Sequence, residues 1–142
     1  MVARKNILFV CVGNTCRSQM AEGFGRLLAN GRFEAASAGT SAFGHVNGQT
    51  IAAMSEAGVD ISRQTSKQLT DEMIASADIV VTLGCIPAGE LCPASFNGVK
   101  LDWKIEDPLG RPPDVIRRVR DDIKKRVEYL FEGEAGHAGQ GG

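Results

Sequence analysis

The chain has 142 residues, of which 43% are hydrophobic and 23% are charged, with a formal net charge of −1. This length fits one domain that buries about two-thirds of its unfolded surface, and the charge argues against nucleic acid or anionic membranes as partners. No apolar run approaches the roughly 18 residues of a membrane span and no secretory signal is evident, so we expect a cytoplasmic protein. In that compartment four cysteines are more typical of catalysis or metal binding than of structural disulfides.

Apolar patterns along the chain alternate between strand and helix, which predicts an α/β domain with a mostly parallel sheet. In chain order the predicted elements are a strand at 5–12, a helix at 18–30, a strand at 33–39, helices at 50–57 and 70–77, strands at 79–83 and 99–103, and a last helix from Pro112 or Pro113 to about Phe131. Residues 84–93 are expected to form a loop or a weak short helix, because glycine and proline interrupt them. Residues 1–133 form the predicted domain, and the glycine-rich residues 134–142 are expected to be disordered.

A short segment between the first strand and the first helix carries the main chemical signal. Five residues separate Cys11 from Arg17, and Ser18 follows. The N–H groups of such a turn point inward, and the dipole of the next helix favours negative charge there. Arg17 adds a planar fork of donors for a tetrahedral oxyanion, and the same field favours the thiolate form of Cys11. The predicted oxyanion-binding residues are Val12, Gly13, Asn14, Thr15, Cys16, Arg17 and Ser18.

Simpler interpretations exist for these residues. A cysteine in an apolar strand is usually an inert core residue, and an aspartate before proline, such as Asp107, is an ordinary way to start a turn. Four cysteines can also bind zinc. However, six residues separate Cys85 from Cys92, which is wider than the usual zinc knuckle, and Cys11 and Cys16 lie in the oxyanion loop. We therefore predict no metal and no cofactor.

A resemblance to a known family rests on four segments. The longest is Cys11-Val12-Gly13-Asn14-Thr15-Cys16-Arg17-Ser18-Gln19-Met20-Ala21-Glu22-Gly23, which resembles the signature of arsenate reductases built on the low-molecular-weight protein tyrosine phosphatase fold. The others are Ser37-Ala38-Gly39-Thr40, Val80-Val81-Thr82-Leu83 leading to Cys85, and Glu106-Asp107-Pro108. The resemblance covers roughly residues 5–131. It implies a single three-layer α/β domain with a central four-stranded parallel sheet flanked by helices.

Two features favour reduction of arsenate over hydrolysis of phosphate esters. Phosphatases of this fold carry a proline after the Arg-Ser pair and tyrosines after the Asp-Pro pair, whereas Gln19-Met20 and Leu109-Gly110 stand here. Cys85 and Cys92 add two thiols for which a simple phosphatase has no use. The alternative is a low-molecular-weight protein tyrosine or phosphoester phosphatase, and weak phosphatase activity is compatible with reduction. A non-enzymatic oxyanion sensor and an enzyme using a low-molecular-weight thiol are further alternatives.

The resemblance also implies roles for individual residues. The oxyanion loop and Arg17 would bind arsenate, with phosphate or sulfate as mimics, while Cys11 attacks arsenic and Asp107 donates a proton. A Cys11–Cys85 disulfide and then a Cys85–Cys92 disulfide would follow, and thioredoxin would reduce the second. We expect a monomer that has no nucleic acid or membrane partner.

Some relatives that use thioredoxin hold a potassium ion beside the loop. The matching oxygen ligands here would come from Asn14, Glu22, Ser37 and Thr65. Lys67 stands where those relatives have an aspartate, and an ammonium group there would repel a cation. The sequence therefore predicts no dependence on potassium.

Overall fold

The computed structural model describes residues 4–139, with side chains as far as residue 133. In chain order the elements are β1 (Lys5–Cys11), α1 (Arg17–Leu28), β2 (Phe33–Gly39), α2 (Gly48–Glu56), α3 (Asp71–Ser76), β3 (Ile79–Leu83), α4 (Ala88–Leu91), β4 (Val99–Trp103) and α5 (Pro113–Gly139). The strands and helices predicted from the sequence are all present. Residues 84–93 contain one short helix, α4, with non-helical residues on both sides of it.

The four strands form one parallel sheet in the order β2-β1-β3-β4. This confirms the predicted architecture. All five residues of β3 are buried, as expected for a central strand covered on both faces. Strands β1 and β3 end side by side, with Val10 opposite Thr82. The segments that follow them therefore emerge at the same edge of the sheet, where ligand sites of α/β proteins form.

Successive side chains of β1 enter two separate apolar layers, because side chains alternate across a strand. Ile7, Phe9 and Cys11 join the larger cluster, which includes buried residues of α1, α2 and α5. Leu8 and Val10 join a smaller cluster with residues of α3 and the α4 segment, including Cys92. The fold is thus a three-layer sandwich in which Cys11 and Cys92 belong to opposite faces of the sheet.

Helix α5 differs from its prediction at one end. Its apolar stripe from Val115 to Phe131 is buried against the larger cluster as expected. The helix continues to Gly139, beyond the predicted end at about Phe131. No proline interrupts residues 132–138, and a glycine costs a helix only about 1 kcal/mol. Residues 140–142 of the predicted disordered tail lie outside the described residues, and the division at residue 133 stays a prediction.

None of the helices within residues 4–139 is long and apolar enough to cross a bilayer.

Candidate active site

Hydrogen bonds from a neighbouring segment hold the loop between β1 and α1, and the carbonyl groups of the loop accept them. Residues 40–47 donate backbone hydrogen bonds to the carbonyls of Cys11, Val12, Gly13 and Thr15 at 2.8–3.0 Å. The C=O and the next N–H of a planar trans peptide point in opposite directions. Because these carbonyls face outward, the N–H groups that follow them face the inside of the loop. Such an arrangement can offer a concave cluster of N–H donors to an oxyanion.

Cys11 lies at the base of this loop, only 2% exposed, with its Sγ 2.8 Å from the Oγ of Ser18. Asn14 supports that hydroxyl, because its Nδ2 donates to Ser18 Oγ at 2.7 Å and to Ser37 Oγ at 2.9 Å. Asn14 has a positive φ of 48°, a conformation that asparagine tolerates better than most residues. With Asn14 fixed in this way, the Ser18 hydroxyl is free to donate its proton to a thiolate at Cys11.

A buried carboxylate lies behind this network. Glu22 is 1% exposed, and its Oε1 accepts a hydrogen bond from the Ser37 hydroxyl at 2.6 Å. Two cations neutralise Glu22: Arg26 Nη2 at 2.7 Å from Oε2, and Lys67 Nζ at 3.5 Å from Oε1. Lys67 Nζ also donates to the carbonyl of Thr65 at 2.6 Å. A buried charge needs such partners, and here the protein's own side chains supply them.

These residues do not fit a potassium ion. Of the oxygens that would be its ligands, Glu22 Oε1 and the Thr65 carbonyl already face the Lys67 ammonium group. The Asn14 Oδ1 accepts from Lys67 N at 2.8 Å and from Gln19 Nε2 at 2.9 Å. A second cation in this space would meet a positive charge and occupied acceptors. Among residues 4–133, whose side chains the structure describes, no cluster of three or more His, Cys, Asp or Glu could hold a metal.

Arg17 extends across the mouth of the loop and contacts both segments that face it. Its Nη1 donates to the carbonyl of Ile105 at 3.2 Å and to that of Gly84 at 3.4 Å. Its Nη2 lies 3.8 Å from Asp107 Oδ2. The Arg17 side chain is 8% exposed, so its charge acts in a poorly hydrated space. The guanidinium group thus connects the loop of Cys11 with the segments that carry Cys85 and Asp107.

Asp107 lies at the solvent side of the cleft, where its side chain is 57% exposed. Its Oδ1 accepts the N–H of Leu109 at 3.0 Å, which closes a tight turn. The neighbouring Glu106 is held by Arg118 at 2.7 Å and Arg111 at 3.6 Å. The hydrogen bond from Arg118 keeps the pKa of Glu106 below its ordinary value. Asp107 therefore lies on a turn that is fixed by the Leu109 N–H and by the ion pairs of Glu106. Its Oδ2 faces Arg17.

Cys85 lies close to the backbone of β1. Its half-buried side chain has Sγ 3.5 Å from the carbonyl oxygen of Val10, the residue before Cys11. Burial raises the pKa of the Cys85 thiol, and the nearby Cys11 raises it further. Both sulfurs therefore lie at the same end of β1.

The side chains of Cys92 and Cys16 are both buried. Cys92 is 6% exposed in the smaller core cluster, against which Cys85 also packs, and burial raises its pKa. Cys16 is the residue before α1 and is 3% exposed. Burial raises the pKa of Cys16 to about 11, partly opposed by a hydrogen bond with Thr50. All four cysteines are free thiols.

Several contacts at the site carry no signal in the sequence. The carbonyls of Gly84 and Ile105 hold Arg17, and backbone acceptors cannot be recognised from residue types. Thr15 Oγ1 donates to the carbonyl of His45 at 2.8 Å, in a loop where the histidine side chain gave no hint. Gln19, next to the Arg17-Ser18 pair, uses its Nε2 to bond the Asn14 carbonyl at 3.0 Å.

Comparisons with known proteins agree on one family. Residues 6–136 match the family described as low molecular weight phosphotyrosine protein phosphatase. Arsenate reductase 1 of Staphylococcus epidermidis is 44% identical over 126 residues, which cover 88% of this chain and 94% of that protein. The solved structure of an arsenate reductase in the phosphate-binding state has 39% identity and a TM-score of 0.79, and covers 91% of this chain and 98% of that one. A thioredoxin-dependent arsenate reductase of Corynebacterium glutamicum has 32% identity and a TM-score of 0.78, covering 92% of this chain and 61% of that one.

Proposed function

Since the chain belongs to the low molecular weight phosphotyrosine protein phosphatase family, we propose that its oxyanion loop binds arsenate and that Cys11, Cys85 and Cys92 reduce it. The protein is an arsenate reductase of this family. One observation in particular supports a relay of thiols: Cys85 Sγ lies 3.5 Å from the carbonyl oxygen beside Cys11. Hydrolysis of a phosphate ester needs no second sulfur there.

The first step is attack on arsenic. Arsenate carries the tetrahedral charge of phosphate, so the inward N–H groups of the loop and the fork of Arg17 bind its oxygens. The Cys11 thiolate, stabilised by the Ser18 hydroxyl, forms a bond to arsenic. Asp107 donates a proton to the oxygen that leaves as water.

The second step moves two electrons to arsenic. The thiolate of Cys85 attacks Cys11 Sγ, so that a Cys11–Cys85 disulfide forms while the sulfur–arsenic bond breaks. The electron pair of that bond stays on arsenic, which leaves as arsenite. Cys92 then attacks Cys85, and Cys11 departs as a thiolate, leaving a Cys85–Cys92 disulfide. An external dithiol reduces this disulfide, and thioredoxin is the partner that we propose.

The cytoplasm is the compartment that we propose for this reaction, because all four cysteines are free and the cycle needs a reducing thiol pool. We propose a monomer, since one chain supplies every group used in the steps above.

The test is arsenate-dependent oxidation of NADPH in the presence of thioredoxin and thioredoxin reductase. We expect turnover with the natural protein and its loss in Cys11→Ser, Cys85→Ser and Cys92→Ser, each assayed separately. Ser55→Ala, at an exposed position of α2, is the control and keeps its turnover. Hydrolysis of p-nitrophenyl phosphate should depend on Cys11 alone. Full arsenate turnover in Cys85→Ser and Cys92→Ser would refute the relay. Absence of NADPH oxidation by the natural protein, together with hydrolysis of p-nitrophenyl phosphate, would favour the phosphatase alternative.

A further inference from the structure

The carboxylate of Asp102 binds the short segment that joins Cys85 to Cys92. Asp102 lies on the edge strand β4, and its Oδ1 accepts the N–H of Ala88, the first residue of α4, at 2.8 Å. The same oxygen accepts the hydroxyl of Thr82 on β3. The residue before α4 is Pro87, which offers no side-chain cap. Asp102 therefore performs from a neighbouring strand the role that a capping side chain normally has.

This contact extends through one helical turn to Cys92. The Cys92 N–H donates to the carbonyl of Ala88 at 2.9 Å, and the Leu91 N–H donates to that of Pro87 at 3.1 Å. Helix α4 has only four residues, so a change at its first residue directly affects the turn that ends at Cys92. A change at the Ala88 N–H is thus separated from Cys92 by a single turn.

Cys92 is unreactive in the conformation that this turn maintains. It is buried in the smaller core cluster, and burial raises the pKa of its thiol. The positive charge of Lys100 opposes that shift, whereas the negative charge of Asp102 adds to it. Disulfide exchange requires a thiolate with access to the disulfide. Opening of α4 would give Cys92 access to solvent and favour its thiolate, the form that attacks Cys85.

We propose that Asp102 is a positioning residue that keeps α4 closed and Cys92 buried in the reduced protein. The inference rests on the proposed function for its place in the cycle. When the bond from Ala88 to Asp102 breaks, Cys92 moves to Cys85 and loses its proton to solvent. The Cys85–Cys92 bond forms as the Cys11–Cys85 bond breaks, and Cys11 departs as a thiolate.

Alkylation of the reduced, full-length protein by iodoacetamide tests this without arsenate. Mass spectrometry follows each cysteine separately over a range of pH. The rate at Cys92 rises with pH to a plateau, where every exposed Cys92 is a thiolate and the plateau reports opening of the segment. Asp102→Ala should raise this plateau about fivefold, the effect of losing one hydrogen bond.

Asp102→Asn separates the contact from the charge. Asparagine keeps an acceptor oxygen for Ala88 but removes the negative charge near Cys92. We expect Asp102→Asn to keep the wild-type plateau, whereas Asp102→Ala raises it. A plateau raised equally in both variants would assign the effect to the charge and not to the contact with Ala88, and would overturn the inference.

Glu90→Gln is the control, since it removes a negative charge from α4 and should leave the plateau unchanged. Asp102→Val serves as a second variant because valine suits an exposed strand if the alanine variant folds poorly. A wild-type plateau in both Asp102→Ala and Asp102→Val would overturn the inference. That result would leave arsenate reduction untouched, and loss of turnover in the cysteine variants would equally leave this measurement intact.

Discussion

Gly84→Ala should disable the site, because Gly84 lies against both Arg17 and the backbone of Ile105. The residue has a φ of +75°, and a Cβ there would lie 2.4 Å from Arg17 Nη1 and 2.7 Å from the carbonyl oxygen of Ile105. Ordinary contacts begin near 3.4 Å. The guanidinium group must move by about 1 Å, and the backbone near the Ile105 carbonyl must shift as well.

The size of the effect follows from these contacts. An alanine in the left-handed region costs about 1–2 kcal/mol of stability, and the clash adds to this. Displacement of Arg17 weakens its bonds to Gly84 and Ile105 and moves its fork away from the oxyanion. A misplacement of about 1 Å costs roughly 100-fold in rate. We therefore expect kcat/KM for arsenate to fall about 100-fold.

Gly110→Ala is the matched control. Gly110 has a φ of +73°, but no atom lies within 4 Å of its Cβ position. Both variants carry the strain of an alanine at positive φ, and only Gly84→Ala adds contacts with Arg17 and the Ile105 backbone. The assays are arsenite release in a single turnover with excess enzyme, and thermal unfolding of each variant. Equal activity in the two variants would refute the role assigned to the contact between Gly84 and Arg17.

Three shorter predictions concern other parts of the site. Asp107→Asn should lower the single-turnover rate of arsenite release about 100-fold while phosphate binding, measured by calorimetry, is retained; an unchanged rate would exclude Asp107 as the acid. Equal concentrations of KCl and NaCl should give the same kcat/KM, because Lys67 occupies the cation position beside Glu22, and a clear rise with potassium would contradict this. Burial raises the pKa of Cys16 from 9.0 to about 11, so the unfolded chain ionises first as pH rises. Between pH 9 and about pH 11 the free energy of unfolding should therefore fall by up to about 3 kcal/mol more in the natural protein than in Cys16→Ala. Denaturant titrations that give the same loss of stability in both proteins over this pH range would refute the prediction.

The strands and helices of this chain were accessible from sequence because their apolar patterns are regular. The continuous apolar run Ile79–Leu83 predicts a buried parallel strand, and β3 has those bounds. Thr70 predicts a helix start, and its side chain accepts the N–H of Met73. The end of α5 was missed, because glycine weakens a helix without stopping it and no proline follows Phe131.

The same distinction holds for the candidate site: residues in a local motif can be predicted from the sequence, whereas contacts between distant segments cannot. The oxyanion loop is recognisable because cysteine, arginine and serine must stand at fixed spacing within one turn. The contacts of Arg17 with two carbonyls, and of Asp102 with Ala88, join segments distant in sequence. Such contacts depend on the sheet order β2-β1-β3-β4, which brings the ends of β1 and β3 and the strand β4 together. No local pattern encodes them.

The disulfides formed during one turnover test the central claim most directly. Reduced protein is mixed with arsenate without thioredoxin, quenched in acid, alkylated and analysed by mass spectrometry. We expect one arsenite per chain together with a Cys85–Cys92 bridge, and a Cys11–Cys85 bridge in Cys92→Ser. Release of arsenite from protein whose thiols all remain free would contradict it.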